Sequence, residues 1–202
     1  MVAKRERFHL RLGPAIRMAV LGTFMAMSSA TLYLSFKYMD AGIASTILFS
    51  YPIITAVLMT AFFHERITWP TTFSILLAVT GIGLLYRGGD NATLSTVGVA
   101  LVLLSSLFYA FYIIGVNQTH TGLSAIQFTF WVVLFGLISL LVLSVIMGEQ
   151  IQVLTTPKQW ACAAQLALLP TVLSLYFMNI AIEKVGSTPS AIMGAVEPVT
   201  AV

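Results

Sequence analysis

Residues 42–63 read GIASTILFSYPIITAVLMTAFF, a run without one charge between Asp40 and the polar end His64-Glu65-Arg66. A helix rises ~1.5 Å per residue, so the run reaches about 33 Å, enough to cross a ~30 Å hydrocarbon core. Its apolar residues do not alternate, which argues against a barrel strand. A helix satisfies its own backbone hydrogen bonds in lipid, so the run reads as a transmembrane helix. Working outward, the same reading applies to Pro14–Phe36, Trp69–Tyr86, Leu94–Val116, Leu123–Met147 and Gln159–Ile182. A seventh run begins at Pro189 and continues to Val202.

The whole composition agrees. The chain has 202 residues, 58% of them apolar and only 8% charged, where a soluble domain carries roughly a quarter. Of its 17 charges (10 basic, 7 acidic), all but Glu197 lie in the N-terminal arm, in short loops or at the ends of the apolar runs. The expected fold is therefore an all-α, polytopic membrane bundle. Short loops make successive helices antiparallel neighbours and leave no room for an inserted soluble domain. A single cysteine, Cys162, excludes an internal disulfide and a multi-cysteine metal site. His9, His64 and His120 are too scattered for a metal site, and no nucleotide-binding or hydrolase motif is present. No cofactor, no enzymatic activity and no nucleic-acid partner is expected.

Local signals support these boundaries. Thr68 before Trp69-Pro70, Thr156 before Pro157 and Thr188 before Pro189 each set a capping hydroxyl ahead of a first-turn proline. Trp69, Trp160, Tyr38 and Tyr86 fall at helix ends, where amphipathic rings favour the headgroup layer. Orientation follows from the basic residues. Lys4, Arg5, Arg7, Arg11, Arg17, Arg66 and Lys184 lie on one side, and Lys37, Arg87 and Lys158 on the other. The excess places the N-terminus in the cytoplasm of a cell membrane, most simply a bacterial inner membrane.

A faint internal repeat is present. Leu34 to Tyr51-Pro52 can be laid without gaps on Ile180 to Glu197-Pro198, at an offset of 146. Few residues match, but the layout recurs. A helix ends in a charged pair, a turn of small residues follows, and the next helix carries an X-Pro step about ten residues in. The paired helices are first with sixth and second with seventh, so the copies run in opposite directions, as in the inverted repeats of secondary transporters.

Several stretches resemble EamA-type carriers of the drug/metabolite transporter superfamily. Residues 41–56 with His64-Glu65-Arg66-Ile67-Thr68 look like the family's fourth helix. Gly81-Ile-Gly-Leu-Leu looks like the end of the fifth, and residues 98–110 resemble the sixth. Ala181-Ile-Glu-Lys-Val-Gly with Ala195-Val-Glu-Pro-Val resembles the eighth and the start of the ninth. The resemblance implies a ten-helix carrier of two inverted five-helix halves, moving small organic solutes (metabolites, amino acids or drug-like molecules), often outward, by alternating access. This chain would then be a fragment running from the third helix into the ninth. Residues 1–13 would be a cytoplasmic basic arm, 14–88 the end of the first repeat, and 93–202 a truncated second repeat. The alternative is a seven-helix receptor or sensor, which the span count also allows.

Candidate functional residues follow from what is expensive in lipid. Glu197 lies eight residues into its helix, where a carboxylate must face a cavity or a polar partner. It is the candidate for proton or cation coupling, with a braced, hydrogen-bonded glutamate as the structural alternative. Pro52, Pro170 and Pro198 each remove a backbone donor inside a helix and free a carbonyl one turn earlier. Thr171 beside Pro170 is placed to re-satisfy such a group. Among the intramembrane polar side chains, the large ones, Tyr51, Tyr109, Tyr112, Trp131, Tyr176 and Asn179, are the candidates to line a solute pathway. Ser105, Tyr109 and Tyr112 share a helix face by spacing, as do Tyr176 and Asn179. Small hydroxyl residues serve helix packing more often. The expected partners are the lipid bilayer and a small solute, with protons and a second copy of the chain as further candidates.

Overall fold

The protein is described here from a computed structural model covering residues 12–64, 95–119, 122–148 and 154–194, with residues 69, 72, 73, 76 and 80 besides. Its elements are α1 (Leu12–Ser35), α2 (Ala41–Leu48), α3 (Tyr51–Phe63), α4 (Thr96–Gln118), α5 (Ala125–Met147), α6 (Pro157–Leu166), a π-helical turn (Ala167–Leu173), α7 (Ser174–Val185) and α8 (Ser187–Gly194). Five spans among the described residues are long and apolar enough to cross a membrane: α1, α2 with α3, α4, α5, and α6 through α7. The third apolar run of the sequence, with the cap at Thr68, falls mostly outside the described residues, as do Glu197 and Pro198.

The helix starts follow their capping chemistry. Asp40 Oδ1 accepts from the Gly42 N–H at 2.8 Å and opens α2. Thr156 Oγ1 accepts from the Gln159 N–H at 3.3 Å, and Gln159 Oε1 accepts from the Thr156 N–H at 3.1 Å. This reciprocal pair, with Pro157 as first helical residue, fixes the start of α6. Two boundaries differ from the sequence reading. The run 42–63 is two helices, divided at Phe49 and Ser50. The last of the described helices starts at Ser187, so Thr188 lies inside its first turn instead of capping it. A single residue, Gly186 at φ 92°, joins α7 to α8. A glycine takes that backbone angle without steric cost.

Helix α1 is the centre of the packing, with α4 on one flank and α5 on the other. It runs antiparallel to α4: Leu21 meets Gly115, and the Ser105 hydroxyl donates to the Ser28 carbonyl at 2.7 Å. It runs parallel to α5: Gly22 meets Gly136, and Thr23 and Ser139 share a hydrogen bond of 3.0 Å. A Cβ on Gly22 would come within 2.8 Å of the Val132 carbonyl oxygen, so only glycine allows this approach of the two backbones. The sixth span runs against α5. Glu183 shares a cavity with Ala125, Asn179 binds Thr129, and Thr171 lies in a pocket with Leu140. Spans one and six therefore point in opposite directions.

Candidate functional site

Among the described residues two spans are broken, and each break has its own hydroxyl. Pro52 has no N–H, so the Leu48 carbonyl one turn back lacks its helical donor. Pro52 lies in the first turn of α3, directly after the break. The Ser106 hydroxyl of α4 lies 3.1 Å from that carbonyl oxygen and 3.0 Å from its own Val102 carbonyl. Ser50, at the break itself, donates to Ser106 at 3.1 Å. In the sixth span Pro170 sits inside the π-helical turn, where carbonyls pair five residues on instead of four, and the Thr171 hydroxyl donates to the Leu166 carbonyl at 3.1 Å.

From the break at Ser50 a line of polar and aromatic groups crosses the bundle interior. The Tyr51 ring meets Tyr109 edge-on, with centroids 4.8 Å apart. Tyr109 stacks on Tyr112 at 5.9 Å. The Tyr112 hydroxyl donates to Asn179 Oδ1 at 2.8 Å. Asn179 Nδ2 donates to Thr129 Oγ1 at 3.0 Å, and Thr129 donates to the Ala125 carbonyl at 2.8 Å. Four spans contribute: α3 through Tyr51, α4 through the two other tyrosines, α7 through Asn179 and α5 through Thr129. Tyr112 is 0% exposed, and Asn179 and Thr129 are each 4% exposed. Buried polar groups in an apolar bundle must satisfy one another, and these do.

The line ends at a cavity of about 300 Å³ where α4 and α7 finish and α5 begins. Asn117, Thr119, Asn179 and Glu183 are its polar lining, and Val116 and Phe128 belong to its apolar part.

Four of the six large polar residues singled out by sequence, Tyr51, Tyr109, Tyr112 and Asn179, thus meet in one line. Trp131 packs against the same core but takes no part in the line; its ring partners are Phe130 and Phe135 at 5.4 and 6.1 Å. Tyr176 lies beside an apolar groove between α5 and the sixth span, which Thr129 also lines. Ser105 does not join the two tyrosines on its helix; it turns to Ser28 of α1. The sequence reading passes over Thr129, Asn117 and Glu183. Nothing in a single apolar run separates Thr129 from the packing hydroxyls around it, and Glu183 reads as an ordinary charged helix end. Among the described residues no group of His, Cys, Asp and Glu could hold a metal ion.

Comparison with known proteins places the chain. The EamA-like transporter family matches residues 2–87 and 96–202. The uncharacterized transporter sll1319 of Synechocystis sp. is 27% identical over 181 residues, covering 88% of this chain and 54% of that protein. The uncharacterized transporter YdfC of Bacillus subtilis is 24% identical, over 82% of this chain and 54% of its own length. YyaM, a further uncharacterized transporter of Bacillus subtilis, is 21% identical, over 85% of this chain and 58% of its own length. The chain spans about half the length of these relatives. Apolar spans with a polar interior and these matches lead to one conclusion: the chain is an integral membrane protein of the EamA-like transporter family.

Proposed function

We propose that the protein moves a small organic solute (a metabolite, an amino acid or a drug-like molecule) outward across the cell membrane by alternating access. The observation that carries this reading is the line from Tyr51 to Thr129, built by four spans and ending at the cavity beside Glu183. Aromatic faces and amide groups bind organic solutes without demanding one shape. The breaks beside Pro52 and Pro170 act as hinges, since a helix interrupted there bends at lower cost. The family match supports a carrier over a seven-helix receptor.

In this reading residues 14–88 close one five-helix half and 93–202 open its inverted counterpart, with the arm 1–13 in the cytoplasm of a bacterial inner membrane. Glu197 is the coupling group, exchanging a proton or a cation, and Pro198 breaks its helix as Pro52 breaks the second span. The test is tolerance of a bacterial host to a panel of toxic amino-acid and drug-like analogues. Expression should raise tolerance to at least one of them, and Asn179→Leu should abolish that gain. Greater sensitivity on expression would reverse the direction of transport. No change across the panel, with the protein present in the membrane, would contradict the carrier reading.

A further inference from the structure

The cavity at the end of the polar line carries a charge that the line does not use. Glu183 is exposed at its edge, and no ion pair or hydrogen bond engages its carboxylate among the described residues. Lys184 is the next residue on the same helix, and adjacent positions on a helix do not share a face; it does not line the cavity. The helix ends around the space oppose one another. The C-termini of α4 and α7 each bring a partial negative charge and the N-terminus of α5 a partial positive one, each about half an elementary charge. The balance is negative, and the full charge of Glu183 adds to it.

Resting on the carrier reading above, we propose that this cavity binds an organic ammonium: a primary or secondary amine with an apolar body. The ammonium docks on Glu183, and the apolar body lies against Val116 and Phe128. Asn117 and Thr119 supply further acceptors to an ammonium's remaining protons. Asn179 can take part without leaving the line. Its Oδ1 holds Tyr112 and its Nδ2 holds Thr129, which leaves one lone pair and one N–H of the amide to spend. The solute would therefore touch the same residue that joins α4, α5 and α7, which couples occupancy to how those helices sit together. The volume, about 300 Å³, suits a solute of amino-acid or aromatic-amine size.

The experiment compares three probes of one shape: phenethylamine, 2-phenylethanol and phenylacetate. Binding to the protein in nanodiscs of neutral lipid is measured by calorimetry. Phenethylamine should bind about ten-fold more tightly than the alcohol, the gain expected of a charge-assisted hydrogen bond. Glu183→Gln should erase that difference and leave the alcohol unchanged. Glu183→Lys should reverse the order and favour phenylacetate. If the amine keeps its advantage in Glu183→Gln, or the acid binds as well as the amine in the native protein, the assignment falls. Should the alcohol still bind and Asn179→Leu remove it, the cavity remains a solute site and the carrier reading stands. If no probe binds native protein or variant, both readings fall.

Discussion

Asn179 holds two helices to a third with one amide, accepting a hydrogen bond from Tyr112 and donating one to Thr129. Both bonds are buried, so losing either leaves a polar atom without water to replace its partner. Hydrogen bonds between helices in a membrane contribute about 1 kcal/mol each, because the separated helices find other partners. Tyr112→Phe and Asn179→Leu should therefore each cost on the order of 1–2 kcal/mol of stability in detergent. The double variant should cost less than the two added, with a coupling of about 1 kcal/mol. Thermal or denaturant unfolding of the four proteins gives the value, and strict additivity would mean that the bond contributes nothing. Residue size was the legible signal here. Tyrosine and asparagine are awkward as packing residues in lipid, and four of six such residues converge. Trp131 and Tyr176 show the limit of that signal, since the same size also suits an aromatic packing against its neighbours or lining an apolar groove.

The broken second span depends on a residue far from it in sequence. Pro52 announces that the Leu48 carbonyl has lost its donor, but not that Ser106 replaces it from another helix. The break in the sixth span is more readable, because the hydroxyl that meets the Leu166 carbonyl, on Thr171, stands next to Pro170. Locality is the difference: a donor one residue away is visible in one dimension, whereas a donor on α4 needs the packing. The same principle governs the ends. Thr156-Pro157 is legible because the cap and its partner are three residues apart, while Thr188-Pro189 misleads because Ser187 starts the helix first. Ser106→Ala should destabilise the protein by about 1 kcal/mol by stranding the Leu48 carbonyl. In a Pro52→Ala background, where residue 52 regains its N–H, the same substitution should cost clearly less. Equal costs in the two backgrounds, measured by unfolding in detergent, would show that Ser106 does not serve the break.

Across the molecule, the class of fold is plain in the sequence and the inward faces are not. Apolar runs long enough to span lipid settle that the protein is a helical membrane bundle. A helix that is apolar all round carries no stripe to mark which side meets its neighbours. Large apolar side chains such as Leu168 and Ile138 stay exposed in the bundle while glycines and serines share its centre with Met18, Leu21 and Ile113. The close approach at Gly22 and Gly136 joins two helices more than a hundred residues apart, and only the folded chain brings them together. What the account rests on is that the cavity at the end of the buried Tyr51-to-Thr129 line faces water while the exposed apolar faces meet lipid. Thiol labelling tests this most directly, because the chain has one native cysteine, Cys162, and a maleimide reacts with a thiolate, which needs water to form. In a Cys162→Ser background, Asn117→Cys and Thr119→Cys, both half-buried in the cavity lining, should react with a water-soluble maleimide in membrane vesicles. Ile138→Cys and Leu168→Cys, on faces assigned to lipid, should not. Silence at positions 117 and 119 from both sides of the membrane, or equal labelling at 138 and 168, would contradict the account.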